Sequence, residues 1–275
     1  KFGVRVSRSE TFVVVEEGSV RVQNEKGTVE ASRGFAVRVR SGETPREPQR
    51  TNVDASLAWT AQLRQVAPTQ AFSRALAACW KFDETEGDVA ADASGNSHHG
   101  QLMKGPVWTK DGRIGGALRF DGVDDWVRVK GLSVPGDGLT VAAWIRHDSL
   151  PGKMQGYITV GSAMTIRHDG DSKPGQLNLI TKTAGGARHI RVDDALKAGE
   201  WHHVAGVWDG VKHRLYMNGV LLESQPAPGE LGAVSGVEIG SQWDGWSGFM
   251  HGLIDDVRIY GRALSEEEIK ALANW

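Results

Sequence analysis

Cysteine is almost absent from this sequence, since Cys79 is the only one. A single thiol cannot form a disulfide within the chain, so cysteine usage neither holds the fold together nor indicates a cellular compartment. No apolar run approaches the roughly 18–20 residues that a membrane-spanning helix requires. The formal net charge of −2 shows no excess of basic residues. It therefore argues against a nucleic-acid-binding protein, which carries a clustered basic face.

Glycine and tryptophan are the residues that stand out. The chain has 35 glycines, and glycines spread along a sequence indicate tight turns and therefore many short strands. It has 10 tryptophans against 3 tyrosines. Tryptophan fills protein cores, and it also stacks on sugar rings and other flat ligands.

The local patterns divide the chain into three segments. Residues 1–50 alternate apolar and polar side chains between glycine or polar turns, which predicts short β-hairpins. Residues 51–76 change to a helical period that Pro68 interrupts, so we expect a linker with short helices. Residues 77–275 return to strand patterns almost to the end.

The first segment resembles the C-terminal half of the FecR domain, a small β-rich family. The family's rhythm is a Gly-x-Val-x-Val strand, a polar turn, a short strand, and a glycine before the next strand. Residues 15–39 have this rhythm and read VEEGSVRVQNEKGTVEASRGFAVRV. Much of the domain's usual N-terminal portion is absent, so the resemblance implies a partial FecR-like domain at 1–50. Such domains resemble the extracytoplasmic part of signalling regulators that restrain sigma factors.

Residues 77–275 carry many short strands separated by turns, which predicts a β-sandwich or barrel. The strongest hairpin signal is Asn218-Gly219, because both central residues of a type I′ turn need positive φ. Ser265 and Glu268 form a capping box, which predicts a short C-terminal helix. The predicted strands are 79–83, 117–120, 125–130, 139–147, 156–160, 163–168, 176–182, 188–192, 201–208, 212–217, 220–224, 236–240 and 251–260.

Four stretches, in order, resemble the laminin-G-like domains of the concanavalin A-like lectin/glucanase superfamily. They read WKFDETEGDVAADASGNSHHGQL (80–102), GGALRFDGVDDWVRV (115–129), EWHHVAGVWDGVKHRLYMNGVLL (200–222) and GLIDDVRIYGRALSEEEI (252–269). The resemblance implies an all-β fold: a concanavalin A-like jelly-roll β-sandwich whose first and last strands lie side by side. The small FecR-like segment and the short helical connector would precede it.

That adjacency suggests a structural calcium ion. The loop DASGNSHHG carries Asp92 and Asn96, and the last strand carries Asp255 and Asp256. Calcium binds six to eight oxygens from carboxylates, amides and backbone carbonyls. Relatives with an Ile-Asp-x-Val-Arg strand use the first acid, so the predicted ligands are Asp92, Asn96 and Asp255. The alternative is that Asp92 and Asn96 only shape an Asx-turn by hydrogen bonding.

The candidate ligand-binding segment is GSQWDGWSGFMHG at residues 240–252. Trp243 and Trp246 stand among small and polar residues, so a loop here would present flat faces to a sugar or aromatic ligand. Asp244 and Gln242 would hydrogen-bond the ligand's hydroxyls. The alternative is that one or both tryptophans fold back and close the edge of the sandwich.

An enzyme has less support in the sequence. Glycoside hydrolases need two carboxylates roughly 5–9.5 Å apart, and no strand carries the usual acidic pair. We therefore expect a non-catalytic recognition module for carbohydrate in a bacterial FecR-like sensor or envelope protein. It would act outside the cytoplasm, in the periplasm or at the cell surface. A membrane anchor would lie upstream of Lys1. The alternatives are a divergent polysaccharide hydrolase and a structural envelope protein that binds a protein partner.

Overall fold

The computed structural model of the chain describes all residues except 1, 7–9, 16, 41, 52–74 and 135–136. Contacts within the chain divide it into two compact units, residues 1–71 and residues 72–275. The predicted helical connector lies almost entirely outside the described residues. In the part of the chain that is described, no helix is long and apolar enough to cross a membrane.

The first unit is built of short antiparallel strands, as its alternating sequence predicts. One sheet has the order β1-β2-β5-β6, and β3 pairs with β4 in a hairpin. Val15, Ala31 and Val37 form a small buried core from three of these strands. The strands are β1 (Phe2–Val6), β2 (Glu10–Val15), β3 (Ser19–Asn24), β4 (Gly27–Ser32), β5 (Phe35–Arg40) and β6 (Gln49–Arg50).

The second unit is a β-sandwich of two eight-stranded antiparallel sheets. Sheet I contains β7 (Leu76–Trp80), β10 (Val107–Ile114), β11 (Gly116–Asp121), β13 (Leu139–His147), β18 (Trp201–Trp208), β19 (Lys212–Met217), β20 (Val220–Pro226) and β22 (His251–Tyr260). Sheet II contains β8 (Val89–Ala90), β9 (Gly100–Met103), β12 (Trp126–Lys130), β14 (Met154–Val160), β15 (Met164–Asp169), β16 (Leu177–Thr183), β17 (Gly186–Val192) and β21 (Gly236–Ile239). The predicted jelly-roll fold class is confirmed. The first strand β7 also pairs with the last strand β22.

The register of sheet II separates its two faces. One row of paired residues crosses six strands and points into the sandwich, where every side chain is fully buried: Val127, Ile239, Ile158, Ile166, Leu179 and Ile190. Burying each such side chain stabilises the fold by about 1.5–3 kcal/mol. The adjacent row points outward and is partly exposed: Arg128, Glu238, Thr159, Thr165, Ile180 and His189. The alternation leaves sheet II with one apolar face and one largely polar face.

Sheet I is apolar on both sides over part of its area. Its outer face carries Ala142, Val207 and Tyr260, which pack against the C-terminal helix α1 (Glu266–Leu272). Ser265 caps that helix, and its hydroxyl and the Glu268 carboxylate each accept the other residue's backbone N–H, so the predicted capping box is confirmed. The helix therefore belongs to sheet I, and the outward row of sheet II remains partly exposed.

The predicted turn at Asn218-Gly219 connects β19 to β20. Asn218 has φ of 51° and Gly219 has φ of 77°, the signs that a type I′ turn requires. The Asn218 side chain accepts a hydrogen bond from the backbone N–H of His203 at 2.9 Å. This contact fastens the hairpin to β18.

Candidate functional site

The loop that contains the predicted binding residues runs from β21 to β22. It folds on itself through a bridge between Gln242 and Ser247, in which the Gln242 N–H donates to the Ser247 carbonyl at 2.9 Å. At its tip Trp243 and Asp244 have φ of 54° and 60°. Left-handed backbone costs an L-residue roughly 1–2 kcal/mol. Such strain is concentrated at functional sites, where the surrounding structure maintains it.

Backbone hydrogen bonds fix this loop on sheet II. The Gly156 N–H donates to the Gly248 carbonyl at 2.7 Å, and the Met250 N–H donates to the Gly240 carbonyl at 2.8 Å. The Asp244 N–H donates to the Glu238 carboxylate at 2.9 Å. Burial raises the pKa of Glu238, although the Asp244 N–H opposes this shift. The loop is held by a regular strand and keeps its tryptophans in one place.

The four predicted binding residues do not share one environment. Trp243 is 58% exposed and Trp246 is 84% exposed, so neither folds back to close the sandwich edge. Asp244 is exposed and lies 3.7 Å from an Arg128 nitrogen. Gln242 is buried, and its Oε1 accepts a hydrogen bond from Arg167 at 3.3 Å. In this structure Gln242 joins the loop to the sheet, while the other three side chains face solvent.

A polar network on the outer face of sheet II lies beside this loop. The Asp169 carboxylate accepts hydrogen bonds from Arg167 at 3.3 Å, from Asn178 at 2.8 Å and from Arg191 at 3.2 Å. Burial alone would raise the pKa of Asp169, but the charge of Arg167 and these hydrogen bonds hold it below its usual range. This network was not predicted from the sequence, because only the register between β15 and β16 brings Arg167 beside Asn178.

The loop and the sheet enclose a shallow depression of about 290 Å³. Its volume is close to the lower end of small-ligand pockets, roughly 300–1,000 Å³. Trp243 and Gln242 form one wall, and Arg167, Ile180 and Lys182 lie among the sheet residues that line it. Thr159 and Thr165 add two hydroxyl groups. The depression combines an aromatic surface, hydroxyls and cations.

The predicted calcium ligands lie in two places. Asp92 Oδ1 accepts hydrogen bonds from Cys79 N and Ser94 N, and Oδ2 accepts from Ser94 Oγ and His98 N. Burial acts to raise the pKa of Asp92, and these hydrogen bonds outweigh it and lower the pKa. The Asn96 amide donates to the carbonyls of Leu76 and Ala77 on β7 at 2.9 and 3.0 Å.

Asp255 binds a different segment. Its Oδ2 accepts the backbone N–H groups of Arg113 and Ile114 at 2.8 Å each. Strand β7 separates it from the loop of Asp92, because Trp80 bridges to Asp92 and pairs with Val257 of β22. Burial raises the pKa of Asp255 to about 7. The structure brings Asp92 and Asn96 together without Asp255, and their polar atoms engage backbone groups rather than forming one oxygen cage.

Three carboxylates that were not predicted as a site from the sequence lie close together between β11 and β12. Oxygens of Asp121, Asp124 and Asp125 lie within 4.8 Å of one another. Asp125 accepts the Asp121 N–H at 3.0 Å, and Asp121 accepts the Val123 N–H at 2.8 Å. These hydrogen bonds shape the turn and account for the positions of two of the three acids.

The second unit is therefore a two-sheet β-sandwich that presents an exposed aromatic loop beside a polar outer sheet face. The chain belongs to the concanavalin A-like lectin/glucanases superfamily, because the Laminin_G_3 family model matches residues 121–270. No curated protein sequence matches the chain.

Solved structures share this fold. Domain 4 of AbnA, an extracellular arabinanase from Geobacillus stearothermophilus solved with arabinotriose, is 23% identical at a TM-score of 0.60, over 72% of this chain and 98% of that domain. The binding domain of botulinum neurotoxin serotype D is 16% identical at a TM-score of 0.59, over 74% and 52% of the two chains. A serotype D ligand-binding domain solved with N-acetylneuraminic acid is 14% identical at a TM-score of 0.58, over 75% and 52%. The chain spans about half the length of these toxin domains.

Proposed function

We propose that this protein is a non-catalytic module that binds carbohydrate at the loop of Trp243, Asp244 and Trp246. One observation carries the proposal: Trp246 is 84% exposed on a loop whose backbone is fixed to sheet II. An exposed tryptophan costs solubility, but it offers a large rigid surface for a sugar ring at little loss of side-chain entropy. The relatives solved with arabinotriose and with N-acetylneuraminic acid support a sugar as the ligand.

The wider setting belongs to the same proposal. The FecR-like rhythm of residues 15–39 supports a bacterial sensor or envelope protein that acts outside the cytoplasm. In that setting the first unit would transmit a signal or anchor the protein, and the sandwich would recognise a glycan. A calcium ion near Asp92 and Asn96 would stiffen the loop beside β7, and binding it would require their present hydrogen bonds to rearrange.

A glycan array probed with the full chain tests the proposal. We expect selective binding that Trp246→Ala weakens about 30-fold, because an aromatic side chain that carries much of the contact contributes about 2 kcal/mol to binding. Trp243→Ala should weaken it comparably. The matched control is Trp275→Ala, which removes a 38% exposed tryptophan from the end of the chain.

The array is run once with calcium and once with a chelator. Binding that the chelator abolishes would support the predicted ion, and unchanged binding would count against it. Failure of the folded protein to bind any glycan under both conditions would refute carbohydrate recognition. A protein ligand or a structural role would then take its place.

A divergent glycoside hydrolase is the second candidate, and Glu238 is the observation that favours it. Its raised pKa suits a general acid, and Asp244 is adjacent. Asp169 is too distant to be the second catalytic carboxylate. Glu238 lies in the same cross-strand row as Thr165 of β15, and Asp169 lies four residues, or roughly 13 Å, further along that strand. Glycoside hydrolases need a separation of roughly 5–9.5 Å between their two catalytic carboxyl groups.

We expect no release of reducing sugars from polysaccharides, because the Glu238 carboxylate already accepts the Asp244 N–H and anchors the loop. The assay compares the full chain with Glu238→Gln. Hydrolysis that this variant abolishes would make the protein an enzyme.

A further inference from the structure

The outer face of sheet II is more cationic than the chain as a whole. Arg167 and Arg191 share a single carboxylate, that of Asp169. Lys182 lies on the same face, is exposed, and makes no ion pair with any residue that the structure describes. These four side chains carry three positive charges and one negative charge, which leaves an excess of two. The complete chain has a net charge of −2, so this excess is local.

Two buried hydrogen-bond donors reinforce that potential. Arg167 Nε and Gln242 Nε2 are buried and have no acceptor among the described residues. Both residues line the depression. A buried N–H group without an acceptor keeps its partial positive charge unbalanced, and the low local dielectric strengthens its field. The lining of the depression therefore favours a hydrogen-bond acceptor or an anion.

The remaining lining suits a sugar. Trp243 offers a flat apolar face, and Ile180 extends the apolar area on the sheet. The Thr159 and Thr165 hydroxyls lie 3.4 Å apart on neighbouring strands, where they can exchange hydrogen bonds with sugar hydroxyls. The depression thus offers an aromatic wall, hydroxyl groups and an unpaired ammonium group within one small volume.

We propose that this depression selects a carboxylated sugar residue, a uronic or a sialic acid, over its neutral counterpart. The inference rests on the proposed carbohydrate binding and names its ligand class. The sugar carboxylate pairs with the Lys182 ammonium group and accepts a hydrogen bond from the Arg167 guanidinium group, while the sugar ring packs on Trp243. A neutral sugar of the same shape makes the ring contacts but leaves the ammonium group unpaired.

The test uses the full chain and two pairs of probes. The first pair is trigalacturonic acid and its carboxyl-reduced form, and the second is 3′-sialyllactose and lactose. We expect the acidic member of at least one pair to bind at least tenfold more tightly at low salt. The preference should shrink between 50 and 500 mM salt, since screening acts on the charge contact alone. The pair that shows this preference identifies whether the ligand is a uronic or a sialic acid.

Lys182→Gln removes the charge from an exposed position and should not disturb folding. We expect it to weaken binding of the preferred acidic probe about tenfold and to leave the neutral probe unchanged. The control Lys212→Gln changes an exposed lysine of sheet I and should alter neither. Equal binding of acidic and neutral probes, or an unchanged affinity in Lys182→Gln, would overturn the charge selection and leave carbohydrate binding intact. Absence of binding to every glycan would overturn both proposals.

Discussion

Acidification from pH 7 to pH 5 is expected to lower the free energy of unfolding by about 3 kcal/mol. The cause is a set of buried neutral histidines in the sandwich. His147 and His213 are fully buried, and His203 is 3% exposed. Burial lowers the pKa of His147 and of His203 to about 3, and that of His213 to about 4.

The sign follows from proton binding in the two states. Unfolded histidine takes up a proton near pH 6.5, while the three buried rings stay neutral until pH 3–4. Between these values the unfolded state binds about three more protons, so stability falls as the pH falls. Each histidine then contributes a loss of about 2 kcal/mol between pH 7 and pH 5.

Asp255 acts in the opposite direction. Its pKa is raised to about 7 in the folded protein, against an ordinary value near 3.8. The folded state therefore binds one extra proton as the pH falls from 7 toward 4, which stabilises it by about 2 kcal/mol at pH 5. The net difference is about two protons.

Denaturant unfolding at half-unit steps from pH 4.5 to 8 measures this slope. We expect His203→Leu to reduce the slope by one proton, because leucine takes up no proton in the unfolded state. The His203 ring lies against Trp144 with a centroid distance of 5.3 Å, and its Nδ1 has no partner in the described structure. Asp255→Asn should increase the slope by one proton. A stability that stays level between pH 7 and pH 5 would contradict the prediction, because the unfolded state would then bind no more protons than the folded state.

The strands of the sandwich were predictable because their local signals agree with the tertiary structure. The predicted strand at 139–147 is observed as β13 with the same bounds, and 201–208 and 212–217 are observed as β18 and β19. Each is an apolar or alternating run with a turn at its end, so the hydrophobic periodicity and the turn residues indicate the same strand.

Strand β10 shows where sequence reasoning ends. Val107–Ile114 contains Thr, Lys, Asp, Gly and Arg in its middle, and no apolar period marks it. It becomes a strand because β11 pairs with it across a bulge and because Asp255 accepts the N–H groups of Arg113 and Ile114. The bond to Asp255 spans more than 140 residues of sequence. Local patterns contain no information on such a contact.

Only part of the candidate site could likewise be predicted from the sequence. Sequence composition predicted an exposed loop at Trp243 and Trp246, because polar and glycine spacers do not fit a core strand. The Arg167–Asp169–Asn178 network required the register between β15 and β16, which pairs Arg167 with Asn178. The role of Gln242 as the link between loop and sheet also follows only from the fold.

Replacement of Gly252 with alanine is expected to destabilise the sandwich by about 3–5 kcal/mol. Gly252 is the second residue of β22 and has φ of 148°, where an L-side chain is strained. A Cβ atom there would lie 2.1 Å from the Arg146 carbonyl oxygen. Because β22 is paired with β11 on one side and β13 on the other, the backbone has little freedom to move away.

The control separates backbone strain from steric overlap. Gly199 has φ of 79° and no atom within 4 Å of its would-be Cβ, so Gly199→Ala should cost only the roughly 1–2 kcal/mol of left-handed strain. Denaturant unfolding at pH 7.5 measures both variants under the same conditions. Equal losses would mean that the sheet yields around position 252. A larger loss for Gly252→Ala would mean that the paired strands hold the Arg146 carbonyl rigidly, and that glycine at 252 is required by close approach as well as by φ.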